Sequence, residues 1–229
     1  MRFLLWAVTP KDHIGQSEAL GSHSCLFPQR HVPAWHLWES SWLILLCVVS
    51  WGWAHEDTRL APAQMVRQHI EGRAPEFALV NQSGQPLTLM ELRGKVVLLT
   101  FTYSTCAEAC PLITAAMVTL QQRLTAAERQ QVFFLSVTAQ PDVDTPAVLH
   151  AYAHRLGVDL ASWAFVTGHP QAVQAVWQAF GLTVKQRAKG VVDHPAWTFL
   201  IDREGMVQYR YLGSLLEVET ILEDMRTLW

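Results

Sequence analysis

Charge is scarce in this chain. Asp, Glu, Lys and Arg make up 16% of its 229 residues, and the formal net charge is only -3. A balance this close to neutral leaves no electrostatic footprint for nucleic acid, so no nucleic-acid partner is expected. Internal repeats and long low-complexity tracts are absent. So is an uncharged apolar run of the roughly 18 to 20 residues that a spanning helix needs. Cysteine is scarce too, at four residues. Half of the residues are apolar, enough to bury a core and to exclude a disordered chain.

Residues 1–36 are rich in turn formers and lack sustained periodicity, which predicts a poorly structured segment. One strongly apolar stretch without charge is "SWLILLCVVSWGWA", residues 41–54. Counted from Trp35 it reaches spanning length, with Glu39 placed near the interface. Trp38, Trp42, Trp51 and Trp53 bracket it as an interfacial aromatic belt would. Arg2, Lys11 and Arg30 precede it, and Glu56 and Asp57 come directly after. That bias keeps the N-terminus cytoplasmic and exports the rest of the chain. Residues 37–55 are therefore expected to be a membrane anchor or a signal segment, cleaved after Gly52-Trp53-Ala54 in the second case. The domain beyond lies on the periplasmic, extracytoplasmic side. A linker is expected over 56–69. Cys25 and Cys47 carry no chemical role.

From residue 70 strands and helices alternate. "EFALV" (76–80), "VVLLTFTY", "VFFLSVT" (132–138), "WAFVTG", "AWTFLID" and "MVQYRYLG" read as strands. A helix runs from about Pro111 to Leu124, where proline has no N–H to lose. "DTPAVLHAYAHRLG", with Asp144 or Thr145 as N-cap, "HPQAVQAVWQAFG" and "LLEVETILEDMRTLW" are further helices. "DREG" closes a terminal hairpin. The order β-β-α-β-α-β-α-β-β-α implies a central mixed sheet covered by helices on both faces. This is an α/β, thioredoxin-like layout over residues 70–229.

"TYSTCAEACP", residues 102–111, holds Cys106 and Cys110 between the strand and the helix. Unpaired N–H groups and the positive end of the macrodipole face this place, and both lower a thiol pKa. Three residues separate the thiols. The wider loop still permits a disulfide and also lets two thiolates converge on one soft metal. Copper sites commonly join cysteine with histidine. His194, in "VVDHPAWTFLID", precedes the strand expected beside the one leading to the cysteines. It is the candidate third ligand, with Asp193 either its partner or a solvated acid.

"LTFTYSTCAEACP", "SVTAQPDVDTPAVLHAY" and "VVDHPAWTFLIDREG" resemble, in order, three motifs of the Sco (SenC) family. The resemblance implies a thioredoxin-like domain, often behind an N-terminal anchor, that binds copper, Cu(I) or Cu(II), through two cysteines and a histidine. It implies a metallochaperone rather than an enzyme. Its partner would be the copper-bearing subunit of cytochrome c oxidase, with other copper chaperones or thiol reductases around it. Matched motif by motif, Cys106, Cys110 and His194 take the ligand positions, and Asp144-Thr145-Pro146 matches the family's aspartate-threonine-proline step. Ala107 and Glu108 stand where the family usually has proline and aspartate. Thr138 replaces a common acid, and Pro195 a small polar residue.

The competing reading is a thiol–disulfide oxidoreductase using Cys106 and Cys110 as a redox-active pair, which has no need of His194. A peroxidase would want an arginine paired with one cysteine, and none is evident. His150 and His154 are four apart on a predicted helix but have no third ligand, so they read as an exposed face. His169 reads as a helix-cap position. Trp163, Trp177 and Trp197 read as packing residues, and Glu108 as solvated.

Overall fold

The computed structural model describes residues 65–187 and 191–229. The segment 1–36, the hydrophobic segment 37–55, Cys25, Cys47 and the first part of the linker lie outside the described residues. Among the described residues no helix is long and apolar enough to cross a membrane.

Strand β4 (Val96–Thr102) is the centre of an eight-stranded sheet, and all of its residues are buried. Its side chains alternate between two cores, as a period of two requires. Val97, Leu99 and Phe101 enter one core; Val96 and Leu98 enter the other. β5 (Val132–Thr138) and β6 (Trp163–Thr167) continue the sheet in parallel on one side of β4. On its other side β9 (Trp197–Ile201) and β10 (Met206–Leu212) run as an antiparallel hairpin. β2 (Ala78–Asn81) pairs antiparallel with β6, and β3 (Pro86–Thr88) completes that edge.

Helices cover both faces. α1 (Ala109–Arg123), α3 (Pro146–Arg155) and α5 (Val218–Arg226) place Ile113, Met117, Leu120, Leu149, Tyr152, Ile221 and Met225 on one face. α4 (Pro170–Ala179) places Val173, Val176 and Trp177 on the other. Trp163 is fully buried and Trp177 nearly so, whereas Trp197 is half-buried, so all three pack rather than protrude. The mixed sheet between helical layers is the expected thioredoxin-like arrangement.

The expected elements gain several others. β1 (Val66–Arg73) begins inside the stretch expected as a linker and pairs with β10 at the sheet edge. Its sequence, VRQHIEGR, is mostly exposed and shows no apolar alternation. α2 (Ala126–Gln131) is short but carries a complete capping box, Thr125 with Glu128. A small hairpin, β7 (Lys185–Gln186) with β8 (Val192–Asp193), stands immediately before His194. Asp202 folds the "DREG" turn by accepting from the N–H groups of Glu204 and Met206, and Gly205 supplies the positive φ of +77°.

This topology gathers three connections at one end of the sheet. The loop leaving β4, the loop leaving β5 and the segment entering β9 all meet there, because β4 is parallel to β5 and antiparallel to β9.

Candidate metal centre

α1 starts two residues before the expected Pro111, with Glu108 as N-cap. Cys110 is thus the second residue of the helix. Glu108 is exposed and gives no side-chain cap, so the first-turn N–H groups stay open toward the preceding loop. Cys106 exploits this. The Cys110 N–H donates to Cys106 Sγ at 3.4 Å. The turn holding Cys106 is closed by its own N–H, which donates to the Tyr103 carbonyl at 3.2 Å.

The two thiols are unpaired and unlike each other. Cys106 is half-buried; Cys110 is 1% exposed. The Cys106 thiol is brought down to about 5. The chief cause is donation from the Cys110 thiol, and the backbone N–H groups of Cys110 and Glu108 and the Tyr103 hydroxyl assist against the opposing effect of burial. Cys110 moves strongly upward, first because its proton is held by Cys106 and then because it is buried. At neutral pH the pair is one accessible thiolate backed by one protonated thiol. Tyr103, itself buried, is pushed up to about 12 by burial and by its bond to Cys106, so it stays a donor.

His194 enters from the β9 side. Cys106, Cys110 and His194 line one cleft of about 610 Å³ together with Tyr103, Gln140 and Arg187. The Tyr103 ring stands edge-on to the His194 ring, with centroids 5.9 Å apart and planes at 71°. His194 Nδ1 lies 3.0 Å from the Pro195 carbonyl. A carbonyl only accepts, so Nδ1 is the donor in this contact, and Nε2 is the nitrogen left to face a metal. Asp193 turns away, accepting from Arg187 Nη2 at 2.5 Å and Nε at 3.2 Å. That bond keeps its carboxyl below the ordinary range. Asp193 is therefore a hairpin tie rather than a partner of the imidazole.

The three expected ligands share a cleft, but they do not yet close on a point. Among the described residues no three His, Cys, Asp or Glu side chains stand ready to grip one ion. The cysteines touch each other, while Tyr103 lies against both Cys106 and His194. His150 and His154 are exposed on α3, and His169 is the exposed N-cap residue of α4. Reasoning from the sequence missed Tyr103, although an aromatic hydroxyl three residues before the first cysteine was a visible signal. It also missed Arg187, for which no sequence signal exists.

The SCO1/SenC family model matches residues 67–229. The chain belongs to this family. A SCO1/SenC family lipoprotein from Bacillus anthracis is 30% identical, with a TM-score of 0.65, and the match covers 70% of this chain and 97% of that one. BsSco, described by its disulfide switch and as a member of the Sco family of cytochrome c oxidase assembly proteins, is 26% identical with a TM-score of 0.61, over 71% and 96%. Copper-bound ScoI of Bradyrhizobium japonicum has the same fold at 22% identity, with a TM-score of 0.58, over 69% and 100%.

Proposed function

We propose that this domain is a copper metallochaperone that binds one copper through Cys106, Cys110 and His194 and delivers it to the dicopper centre of cytochrome c oxidase. The observation carrying this reading is the unlike thiol pair in one cleft with an imidazole whose Nδ1 is engaged by the Pro195 carbonyl. Thiolate and imidazole suit copper in either oxidation state. Cys106 offers a first thiolate without added base. Cys110 surrenders its proton only as a metal arrives, so loading releases a proton and binding weakens in acid. A movement of His194 toward the sulfurs completes the set. Delivery runs by ligand exchange, with the partner's thiolates replacing Cys106 first, because it is the accessible one, and buried Cys110 last. Copper-bound ScoI supports the metal, and BsSco supports the assembly role.

We place the domain outside the cytoplasmic membrane, tethered or exported by residues 37–55. Compartment-specific reporters fused after residue 60 test this, and activity of the cytoplasmic reporter alone would refute it.

A second reading draws on the same thiol pair. A low-pKa Cys106 with Cys110 in contact is also the arrangement of an attacking and a resolving thiol. His194 separates the two. The metallochaperone requires one copper per chain in the wild type. In His194→Ala it requires lost Cu(II) binding and lost oxidase maturation in cells, with disulfide formation intact. Equal copper binding and maturation without His194 would favour the oxidoreductase.

A further inference from the structure

Asp144 was expected as a possible helix cap, but Thr145 takes that place, accepting from the Val148 N–H at 3.3 Å. Asp144 is instead fully buried. Its Oδ1 accepts from the Ser104 hydroxyl at 2.5 Å and its Oδ2 from the Thr138 hydroxyl at 2.5 Å. The Ser104 N–H donates to both oxygens, at 3.2 and 3.3 Å. Among the described residues no lysine, arginine or histidine forms an ion pair with it. A second tie lies alongside: Thr105 Oγ1 donates to Gln140 Oε1 at 2.8 Å, and the Gln140 N–H donates to Thr138 Oγ1 at 2.9 Å. The Asp144 N–H donates to the Gln140 carbonyl at 2.9 Å, closing the network.

We propose that Asp144 is a positioning residue that holds the cysteine loop, fixing where Cys106 presents its sulfur in the cleft. The inference rests on the reading of that cleft as a metal site. A buried carboxylate needs its hydrogen bonds, since losing one leaves a desolvated group with no partner. Here most of those donors belong to Ser104, two residues before Cys106. If the loop swings out, Asp144 is stranded; the carboxylate therefore opposes every such movement. The anchor is rigid at its other end, because Thr138 terminates a central strand and Thr145 starts α3. The loop beside Cys106 is thus tied to the core, independently of whatever occupies the cleft.

The test uses the reduced, metal-free full chain, with amide exchange and alkylation of each cysteine as readouts. In Asp144→Ala the amides of Ser104 to Cys106 should exchange about tenfold faster or more, the effect of losing a charge-assisted hydrogen bond. Cys106 alkylation should quicken, and Cys110 should become reactive. Amides in β4 and the middle of α3 should keep wild-type protection. If Asp144→Ala does not fold, Ser104→Ala and Thr138→Val each remove one donor and should show the same local pattern more weakly. Restoring the acceptor partly, with Asp144→Asn, should give rates between wild type and alanine. Wild-type exchange at Ser104 together with wild-type thiol reactivity would overturn the proposal. Equal acceleration across all helices and strands would also overturn it, because Asp144 would then serve stability alone. Copper release from loaded chains should follow the same order of variants. If no form took up copper while the local pattern held, the positioning role would stand and the copper function would fall.

Discussion

The two halves of the cleft are held by opposite means. The cysteine half is tied from below by a buried carboxylate, two hydroxyls and a backbone N–H. The histidine half follows a short hairpin whose Arg187–Asp193 ion pair is exposed at both ends, with Val192 alone of its described residues buried, against Tyr103, Cys110 and Ala139. Buried charge-assisted bonds resist motion strongly, while exposed ion pairs contribute little. The difference assigns roles. In the proposed copper site the sulfurs would form the fixed platform, and the imidazole would be the ligand that travels. The proposed carrier role would benefit from this division, because a site that closes from one side also opens from that side.

Removing a thiolate should have the largest effect. Cys106→Ser and Cys110→Ser should each weaken copper binding by more than the roughly 100-fold that loss of an outer partner can cost, as read by competition with a chelator. Next in size is the platform itself. Thr138→Val leaves Asp144 Oδ2 only the longer Ser104 N–H bond, strips the Gln140 N–H of its acceptor, and should lower stability by about 1–3 kcal/mol in urea unfolding of the metal-free chain.

Acidity sharpens the contrast further. Cys106 is lowered in the folded state to about 5, from an unfolded value near 9. Between these values the unfolded chain binds more protons than the folded one, so stability should rise with pH. The gain is complete only above the unfolded value and is lost as pH falls toward 5. Denaturant titrations of the reduced, metal-free chain from pH 5 to 9 should show this slope, and Cys106→Ser should flatten it. A slope retained in Cys106→Ser would assign the titration elsewhere. The smallest effect belongs to the hairpin. Arg187→Ala should leave the urea midpoint almost unchanged, since the pair is exposed and screened by salt. A larger loss would mean that the histidine half is as firmly held as the cysteine half.

Much of this architecture was legible from residues. β4, β5 and β6 announce themselves as apolar runs, because strands covered on both faces have no polar side to show. The shared cleft of the cysteine turn and His194 was legible through motif and topology together: β9 had to lie beside β4 for residue 194 to line the same cleft as the thiols. β1 was not legible, because an exposed edge strand carries no apolar alternation. α2 did carry a cap signature at Thr125 and Glu128, but its body is too short and polar to show a period. The Asp144 platform lay beyond reach for a different reason. Its contact with Ser104 spans 40 residues, and the local pattern Asp-Thr-Pro describes a helix start equally well. Only the fold shows that Thr145 caps the helix and releases Asp144 for the loop.

On the proposed function, a travelling imidazole completes a fixed pair of sulfurs. X-ray absorption at the copper edge of the loaded full chain tests it most directly, comparing the wild type with His194→Ala. Two sulfur ligands and one imidazole nitrogen are expected in the wild type, and the same two sulfurs without that nitrogen in the variant. Identical spectra from the two proteins would contradict it.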